Sequence, residues 1–307
     1  MKVLVMGGTG LVGRRLVQRL RERGDEVTVL TRRPEAARTW IAAGCAVLGG
    51  DPMEAGPWMA AVHDADAVIN LVGEPVFGRR WNEAYKSLLR DSRVLSTKHA
   101  VDAMRAQPCR ADGQSKTLVN ASAIGYYGPR GDEILDESAA PGDDLLARLT
   151  VDWEAAARAG EEYGVRVSMV RIGVVLDRSG GALQKMSTPF RLGIGGPIGS
   201  GRQWVSWIHH RDVVGILLLA LDRQATGPIN GTAPDPVTNR DLSKALGRAL
   251  HRPAVLPVPA FALRMRFGEV AGILTTGQRV VPQRALSLGY AFEFPHIDAA
   301  LADVLNG

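Results

Sequence analysis

Short β-branched runs alternate with helical stretches through the first half of the chain, and a cluster of glycines separates the first such pair. These two observations predict an α/β fold: a Rossmann-type, doubly wound parallel sheet with right-handed crossovers. A third observation, the change after residue 178 to segments broken by glycine and proline, adds a smaller C-terminal α/β lid domain. The predicted sheet domain covers residues 1–178 and about 209–232, and the lid is built from 179–208 and 233–307.

The stretch MKVLVMGGTGLVGRRLVQRLRERGDEVTVLTRR, residues 1–33, sets the frame. Residues 2–6 are a short apolar run bounded by glycine, the pattern of a buried parallel strand. Gly7, Gly8, Gly10 and Gly13 follow. Residues 11–23 then carry Leu11, Val12, Leu16, Val17 and Leu20 at helical spacing, and Gly24 stands where a helix-ending glycine belongs. Residues 26–30 make the second strand. The glycines therefore lie between a strand and a helix inside one βαβ unit. There, glycine permits a sharp turn and close approach to a pyrophosphate, and the helix N-terminus offers N–H groups to the same anion.

The second strand runs into Thr31, Arg32 and Arg33, with no acid before Glu35. A free ribose 2′-hydroxyl is held by an acid at this point, whereas a 2′-phosphate needs cations. The expectation is NADP(H), with Arg32 as the first phosphate ligand. The competing reading is two solvated arginines at a helix start, because this chain uses arginine freely: 31 of its 37 basic residues.

The remaining elements follow in order. Strands are expected at 46–48, 65–71, 117–121 and 166–175, and helices at 81–104 and 145–163. Residues 129–144, rich in Pro, Gly and Asp, read as loop, and 179–201 as a glycine-rich stretch interrupted by Pro189 and Pro197. A strand at 204–208, a helix at 211–221, a strand at 228–231, a helix at 238–250 capped by Thr238 and a last helix at 298–305 complete the pattern.

Composition excludes several function classes. Hydrophobic content of 46% with 22% charged residues is that of a globular protein. The net charge of +5 is mild and the arginines are scattered, so no nucleic-acid partner is expected. Cys45 and Cys109 make no disulfide framework, and no Cys/His cluster has metal spacing. The first strand begins at residue 2, leaving no room for a signal peptide, and the longest strongly apolar run, 213–221, is too short to span a bilayer. The expectation is a reduced, cytoplasmic compartment without a membrane partner.

GGTGLVG at 7–13, NLVGEP at 70–75, SAIGYYG at 122–128, RIGVVL at 171–176, PFRLGIGGPIGSGRQWVSWIH at 189–209 and GQRVVPQR at 277–284 together resemble one family over essentially the whole chain. It is the atypical, epimerase-like branch of the extended short-chain dehydrogenase/reductase superfamily, the nucleoside-diphosphate-sugar epimerase-like proteins. The resemblance implies that Gly7, Thr9, Gly10, Leu11 and Val12 cradle a pyrophosphate, and that Thr31 and Arg32, with Arg33 beside them, hold the adenosine phosphate. It places Asp51 near the adenine and has Leu71, Val72, Gly73 and Glu74 line the cofactor ribose. Arg79 or Arg80 lies just beyond, and Ala121 to Ala123 pass under the nicotinamide.

The catalytic pattern of the family is missing. Ordinary members carry Tyr with Lys four residues on, so that both face one side of a helix and the lysine lowers the tyrosine pKa. The fourth residues after Tyr85, Tyr126, Tyr127, Tyr163 and Tyr290 are Leu89, Arg130, Gly131, Val167 and Phe294. Anchored on Glu154, the family tyrosine falls near Leu146 and the lysine near Thr150, and the family serine falls on Ala123, with Ser122 one residue away. Tyr126, Tyr127, Ser122 and His209 are the remaining catalytic candidates. Tyr126 and Tyr127 follow the fifth strand at the edge where ligands bind, and His209 can titrate near neutrality. Arg171 and Arg202 read equally as ligands for an anionic substrate and as solvated arginines, and 193–201 is expected to be a flexible lid. Two functions stay open: an NADP(H)-binding oxidoreductase or epimerase-like enzyme for an unidentified small, sugar-like substrate, and a non-catalytic NADP(H)-binding sensor or scaffold.

Overall fold

The computed structural model describes residues 1–306 apart from 40, 42 and 43, and of 264, 266 and 267 the backbone alone. Seven parallel strands form the central sheet: β1 (Lys2–Met6), β2 (Glu26–Thr31), β3 (Ala46–Gly49), β4 (Ala67–Asn70), β5 (Thr117–Ala123), β6 (Arg166–Ile172) and β7 (Gly227–Gly231). Their order across the sheet is β3-β2-β1-β4-β5-β6-β7. The chain starts in the middle, winds to one edge, and returns to build the other side. The direction of winding reverses between β1 and β4, which opens a crevice at their carboxyl ends. Met6 stands level with Leu30 on one side and Asn70 on the other, so three strands end together at that crevice.

The seven longest helices among the described residues are α1 (Leu11–Glu22), α2 (Glu83–Ala106), α3 (Leu145–Arg158), α4 (Gly181–Arg191), α5 (His210–Asp222), α6 (Asn239–Leu250) and α7 (Ile297–Asn306). Alternation along the strands sends Val3, Val5, Val27, Val29 and Ile69 to one face, against Leu16, Val17 and Leu20 of α1 and Val213, Ile216 and Leu217 of α5. Leu4, Met6, Leu30, Val68 and Leu118 face the other way, against Ala100, Val101 and Met104 of α2. Both faces are covered, which is why these strands read as continuous apolar runs. A third apolar cluster joins Leu183 and Phe190 of α4, Leu242 and Leu246 of α6, Leu301 and Val304 of α7, and Trp207. Among the described residues no helix is long and apolar enough to cross a membrane.

Side-chain caps start several helices. Asn82 Oδ1 accepts from Tyr85 N, Asp144 Oδ1 from Ala147 N, and Thr238 Oγ1 from Asp241 N, the last as expected.

Five segments differ from the sequence expectation. Helix 145–163 is α-helical only to Arg158 and continues as a 3₁₀ turn, Ala159–Tyr163, ended by Gly164 at φ +80°. The loop at 129–144 contains Ile134–Leu135, paired in parallel with Arg279–Val280. The stretch 179–201 contains α4, with Pro189 in its last turn. Burial of Leu183, Ser187 and Phe190 offsets the hydrogen bond a proline cannot make. The expected strand at 204–208 splits at Ser206. Trp204–Val205 pairs antiparallel with Val237–Thr238, while Trp207–His209 pairs in parallel with Val174–Leu176. Strand 166–175 breaks at Gly173, which packs so closely on Ser206 that a Cβ there would lie 2.5 Å from the Ser206 carbonyl oxygen.

The 193–201 segment is pinned by its backbone rather than loosely tethered. Leu256 N donates to Gly195 O (3.2 Å), Val258 N to Pro197 O (2.9 Å) and Gly199 N to Val258 O (2.9 Å). Asn239 Oδ1 accepts from Ile198 N (2.7 Å). A Cβ on Gly196 would meet Leu256 O at 2.1 Å, so these glycines serve close strand-like contact.

The turn after β1 is equally tight. A Cβ on Gly13 would sit 2.3 Å from Gly7 O and 2.7 Å from Gly8 Cα. Gly13→Ala is expected to lower stability by about 1–3 kcal/mol, the cost of overpacking a closed contact. Urea denaturation monitored by circular dichroism measures it.

Candidate functional site

The crevice at the carboxyl ends of β1, β2 and β4 has a volume of about 350 Å³. Three turns build it. The first is 7–10: Gly7 has φ +77° and its backbone packs against Leu71, where a Cβ would meet Leu71 C at 2.8 Å. Gly10 caps α1 without a side-chain acceptor, and the first turn of α1 holds no acid. The helix N–H groups there are therefore available to an anion. The second is 71–74. Asn70 Oδ1 accepts from Val72 N (3.1 Å), Ser92 Oγ from Glu74 N (3.1 Å), and Glu74 O from the Arg93 guanidinium (3.0 Å). The third follows β2, where Thr31 Oγ1 accepts from Arg33 N (3.2 Å) and Arg32 reaches across to Glu74 at 3.5 Å.

Gly7, Thr9, Gly10, Thr31, Arg32, Arg33, Asp51, Leu71, Val72, Gly73 and Glu74 all line this one crevice. Asp51 stands at its rim, where Oδ1 accepts from Met53 N (2.9 Å). The structure adds Arg14, Met53 and Ser92. Arg14 follows the glycine motif directly and was legible from its helical position, one turn behind Gly10. Ser92 comes from α2, and nothing in its sequence neighbourhood announces it.

Four further residues expected at the cofactor do not line this crevice. Leu11 lines a neighbouring cavity with Ser179, Gly180 and Gly181. Val12 packs against the sheet core. Ala121 is buried within β5. Arg79 lies over the Tyr85 ring, 5.3 Å from its centroid.

Beside the crevice runs a buried polar network (Fully buried Arg171 at its centre) that the motifs do not reveal. Arg171 Nε and Nη2 donate to Glu154 Oε1 (2.7 Å) and Oε2 (2.9 Å), a bidentate pair with side chains 1% and 3% exposed. Ser122 Oγ donates to the same Oε1 (2.6 Å). Arg171 Nη1 donates to the Tyr127 hydroxyl (2.9 Å), which donates to Asn230 Oδ1 (2.7 Å). Asn230 N then donates to Glu137 Oε1 (2.8 Å), and Asn230 Nδ2 to Val281 O (2.9 Å). Burial pushes the Tyr127 phenol up to about 12, against the pull of Arg171. Burial also raises the Glu137 carboxyl above the usual range, although N–H groups of Asn230 and Arg284 oppose it. Burial alone would lower Arg171, but Glu154 and Tyr127 outweigh it and raise it.

This network decides where the catalytic candidates stand. Ser122 and Tyr127 are buried with their hydroxyls engaged. Arg171, expected to meet an anion, is neutralised by Glu154. His209 is fully buried, stacked on Phe294 with centroids 3.9 Å apart. Its Nδ1 accepts from Arg211 N (3.1 Å), so Nε2 carries the proton and donates to Asp303 Oδ2 (3.1 Å). Burial, with His210 alongside, pushes this imidazole down to about 4. Tyr126 differs: it is half-buried, its ring lies 3.4 Å from the Arg171 guanidinium carbon, and its hydroxyl has no hydrogen bond among the described residues. Leu146 and Thr150 stand against Gly125 in the turn after β5, and the Thr150 hydroxyl donates to Leu146 O (2.7 Å). Among the described residues no group of His, Cys, Asp and Glu could hold a metal ion.

Sheet order, glycine turn and crevice together define a doubly wound α/β protein of the dinucleotide-binding type. The model of the NAD dependent epimerase/dehydratase family matches residues 3–232, and that of a domain of unknown function, DUF1731, matches residues 258–304. The chain belongs to the NAD dependent epimerase/dehydratase family. It is 42% identical to the mouse epimerase family protein SDR39U1, covering 99% of this chain and 100% of that one. It is 40% identical to the chloroplastic SDR39U1 homolog of Arabidopsis thaliana, covering 100% of this chain and 87% of the other. A crystal structure of human SDR39U1 (isoform 2) with NADPH superposes with a TM-score of 0.87 at 38% identity, covering 100% of this chain and 99% of that one.

Two outcomes follow from the buried groups. Glu154→Gln leaves Arg171 buried without its counter-charge and is expected to cost about 3–5 kcal/mol in urea unfolding. The His209 imidazole is held below its unfolded value, so the unfolded chain takes up the proton first. Stability is expected to be full above pH 6.5 and to fall as pH drops toward about 4. His209→Asn, which keeps an acceptor for Arg211 N, is expected to flatten that part of the stability–pH profile.

Proposed function

We propose that the chain is an NADP(H)-dependent oxidoreductase or epimerase-like enzyme for a small, sugar-like substrate, with Tyr126 as its proton donor. One observation carries the cofactor reading: Arg32 and Arg33 rim the crevice at the end of β2, opposite the glycine turn. The residues fit the group. Gly7 and Gly13 leave room only for backbone, the end of α1 is uncapped by any side chain, and Glu74 holds Arg32 over the crevice. The NADPH found with the human relative supports the same choice.

When bound, the nicotinamide gives or takes hydride. The chain's own part is to bind the phosphates, fix the ribose turn through Asn70, Ser92 and Arg93, and exchange a proton at the Tyr126 hydroxyl. Ser122, Tyr127 and His209 keep their polar atoms inside the protein. That observation favours a second reading, a non-catalytic NADP(H) binder that senses redox state or acts as a scaffold.

Titration with NADPH and NADH, followed by nicotinamide fluorescence, tests the cofactor. Arg32→Ala is expected to weaken NADPH by about 1.5–3 kcal/mol, the scale of a charge-assisted hydrogen bond, and to leave NADH unchanged. Equal or tighter NADH binding overturns the phosphate assignment. NADPH consumption with a panel of small carbonyl compounds and keto-sugars separates the two functions. Turnover lost in Tyr126→Phe with NADPH affinity intact supports the enzyme, and tight binding without turnover supports the sensor.

A further inference from the structure

Ten large apolar side chains are exposed among the described residues. Six of them, Leu192, Ile194, Val255, Leu256, Phe261 and Met265, come from two segments far apart in sequence, so the exposure is concentrated rather than scattered. The two segments lie side by side. Leu256 N donates to Gly195 O, Ile198 bridges in parallel to Val258, and a Cβ on Gly199 would touch the Ala260 methyl at 3.8 Å. Phe261 and Met265 are four residues apart on helix Ala260–Phe267, which puts both on one side of it. The result is an apolar face of the kind that marks an interaction site.

Its electrostatic frame is one-sided. Residues 178–211 contain no Asp or Glu, and neither do residues 242–268, yet both carry arginine and lysine. Arg191 directly precedes Leu192 and Arg252 stands three residues before Val255; both are exposed and have no ion pair among the described residues. An apolar surface framed by unpaired cations fits an anionic interface with an apolar interior. A second copy fits it poorly, because twofold pairing of the same patch brings the cations of both copies into one interface to which neither segment brings an acid.

We propose that this face docks the protein peripherally on a membrane surface rich in acidic phospholipid, with the apolar side chains in the headgroup layer and Arg191 and Arg252 on lipid phosphates. No linear run of the sequence betrays it, because the face forms only where 192–199 and 255–265 meet. It does not span the bilayer. The Lys86–Glu269 ion pair (2.9 Å) ties the segment just after this face to the start of α2, so docking would bring the membrane near the loop that follows the crevice.

The test is co-sedimentation with phosphatidylcholine vesicles, alone or with phosphatidylglycerol as about a third of the lipid. The expected result is binding only to the mixed vesicles, reversed by high salt. Arg191→Glu with Arg252→Glu is expected to weaken it by at least about thirtyfold, the equivalent of about 1 kcal/mol for each cation removed. Phe261→Ser with Met265→Ser is expected to abolish it, with circular dichroism and melting temperature unchanged as the control for folding. Failure to bind mixed vesicles overturns the proposal, as does binding that neither double variant weakens. A concentration-dependent dimer in solution that Phe261→Ser with Met265→Ser dissolves, without vesicle binding, also overturns it and assigns the face to a second copy.

Discussion

The bidentate contact between Arg171 and Glu154 holds the functional half of the sheet together. It joins β6 to α3, takes in Ser122 from β5, and passes through Tyr127 and Asn230 to β7 and the chain near Val281. Two charges removed from water cost several kcal/mol each, and only good geometry with every remaining donor satisfied offsets that cost. Here Arg171 meets one carboxylate in two places and a phenol in a third, and the Tyr126 ring covers it. The arrangement is all-or-none, since loss of either partner leaves a buried charge alone.

This pair lies in a chain that lacks the tyrosine–lysine dyad of its family. On the side of α3 facing the turn after β5, near where the resemblance puts the dyad, stand Leu146 and Thr150. The polar residues nearby, Ser122, Glu154, Arg171 and Tyr127, satisfy one another inside the protein. The cofactor crevice does not depend on them. It is made by the turns after β1, β2 and β4 and braced from α2, so the crevice and the buried network rest on different elements and are separable. That separability keeps both an enzyme and a binder within reach of the same fold.

Much of this architecture was legible in the sequence, for identifiable reasons. The first βαβ unit could be read because its glycines, its buried strands and the helical period of α1 all point the same way. Eleven of the expected cofactor residues share one crevice because they sit on short turns directly after strands, where position in the chain nearly dictates position in space. Leu11, Val12 and Ala121 do not line it because a residue one step along a helix or strand turns to another face, and Arg79, in the loop before α2, lies over the Tyr85 ring. Helix α4 was obscured by Pro189 and its glycine flanks, and the split of 204–208 by Ser206, whose hydroxyl donates to Gln278 O and accepts from Val280 N. Both depend on partners more than fifteen residues away in the chain.

By itself the sequence determined the fold class, the phosphate turn, the arginines after β2 and the absence of the usual catalytic dyad. These are local facts, set by backbone freedom, side-chain period and residue identity over a few neighbouring positions. Tertiary structure alone decided that Ser122, Tyr127 and His209 are buried and engaged, that the Tyr126 hydroxyl has no hydrogen bond among the described residues, and that two acid-free segments lie side by side with their apolar side chains exposed. Each of these depends on contacts between residues distant in the chain. Burial and hydrogen bonding are properties of those meetings, and no single stretch of sequence contains them.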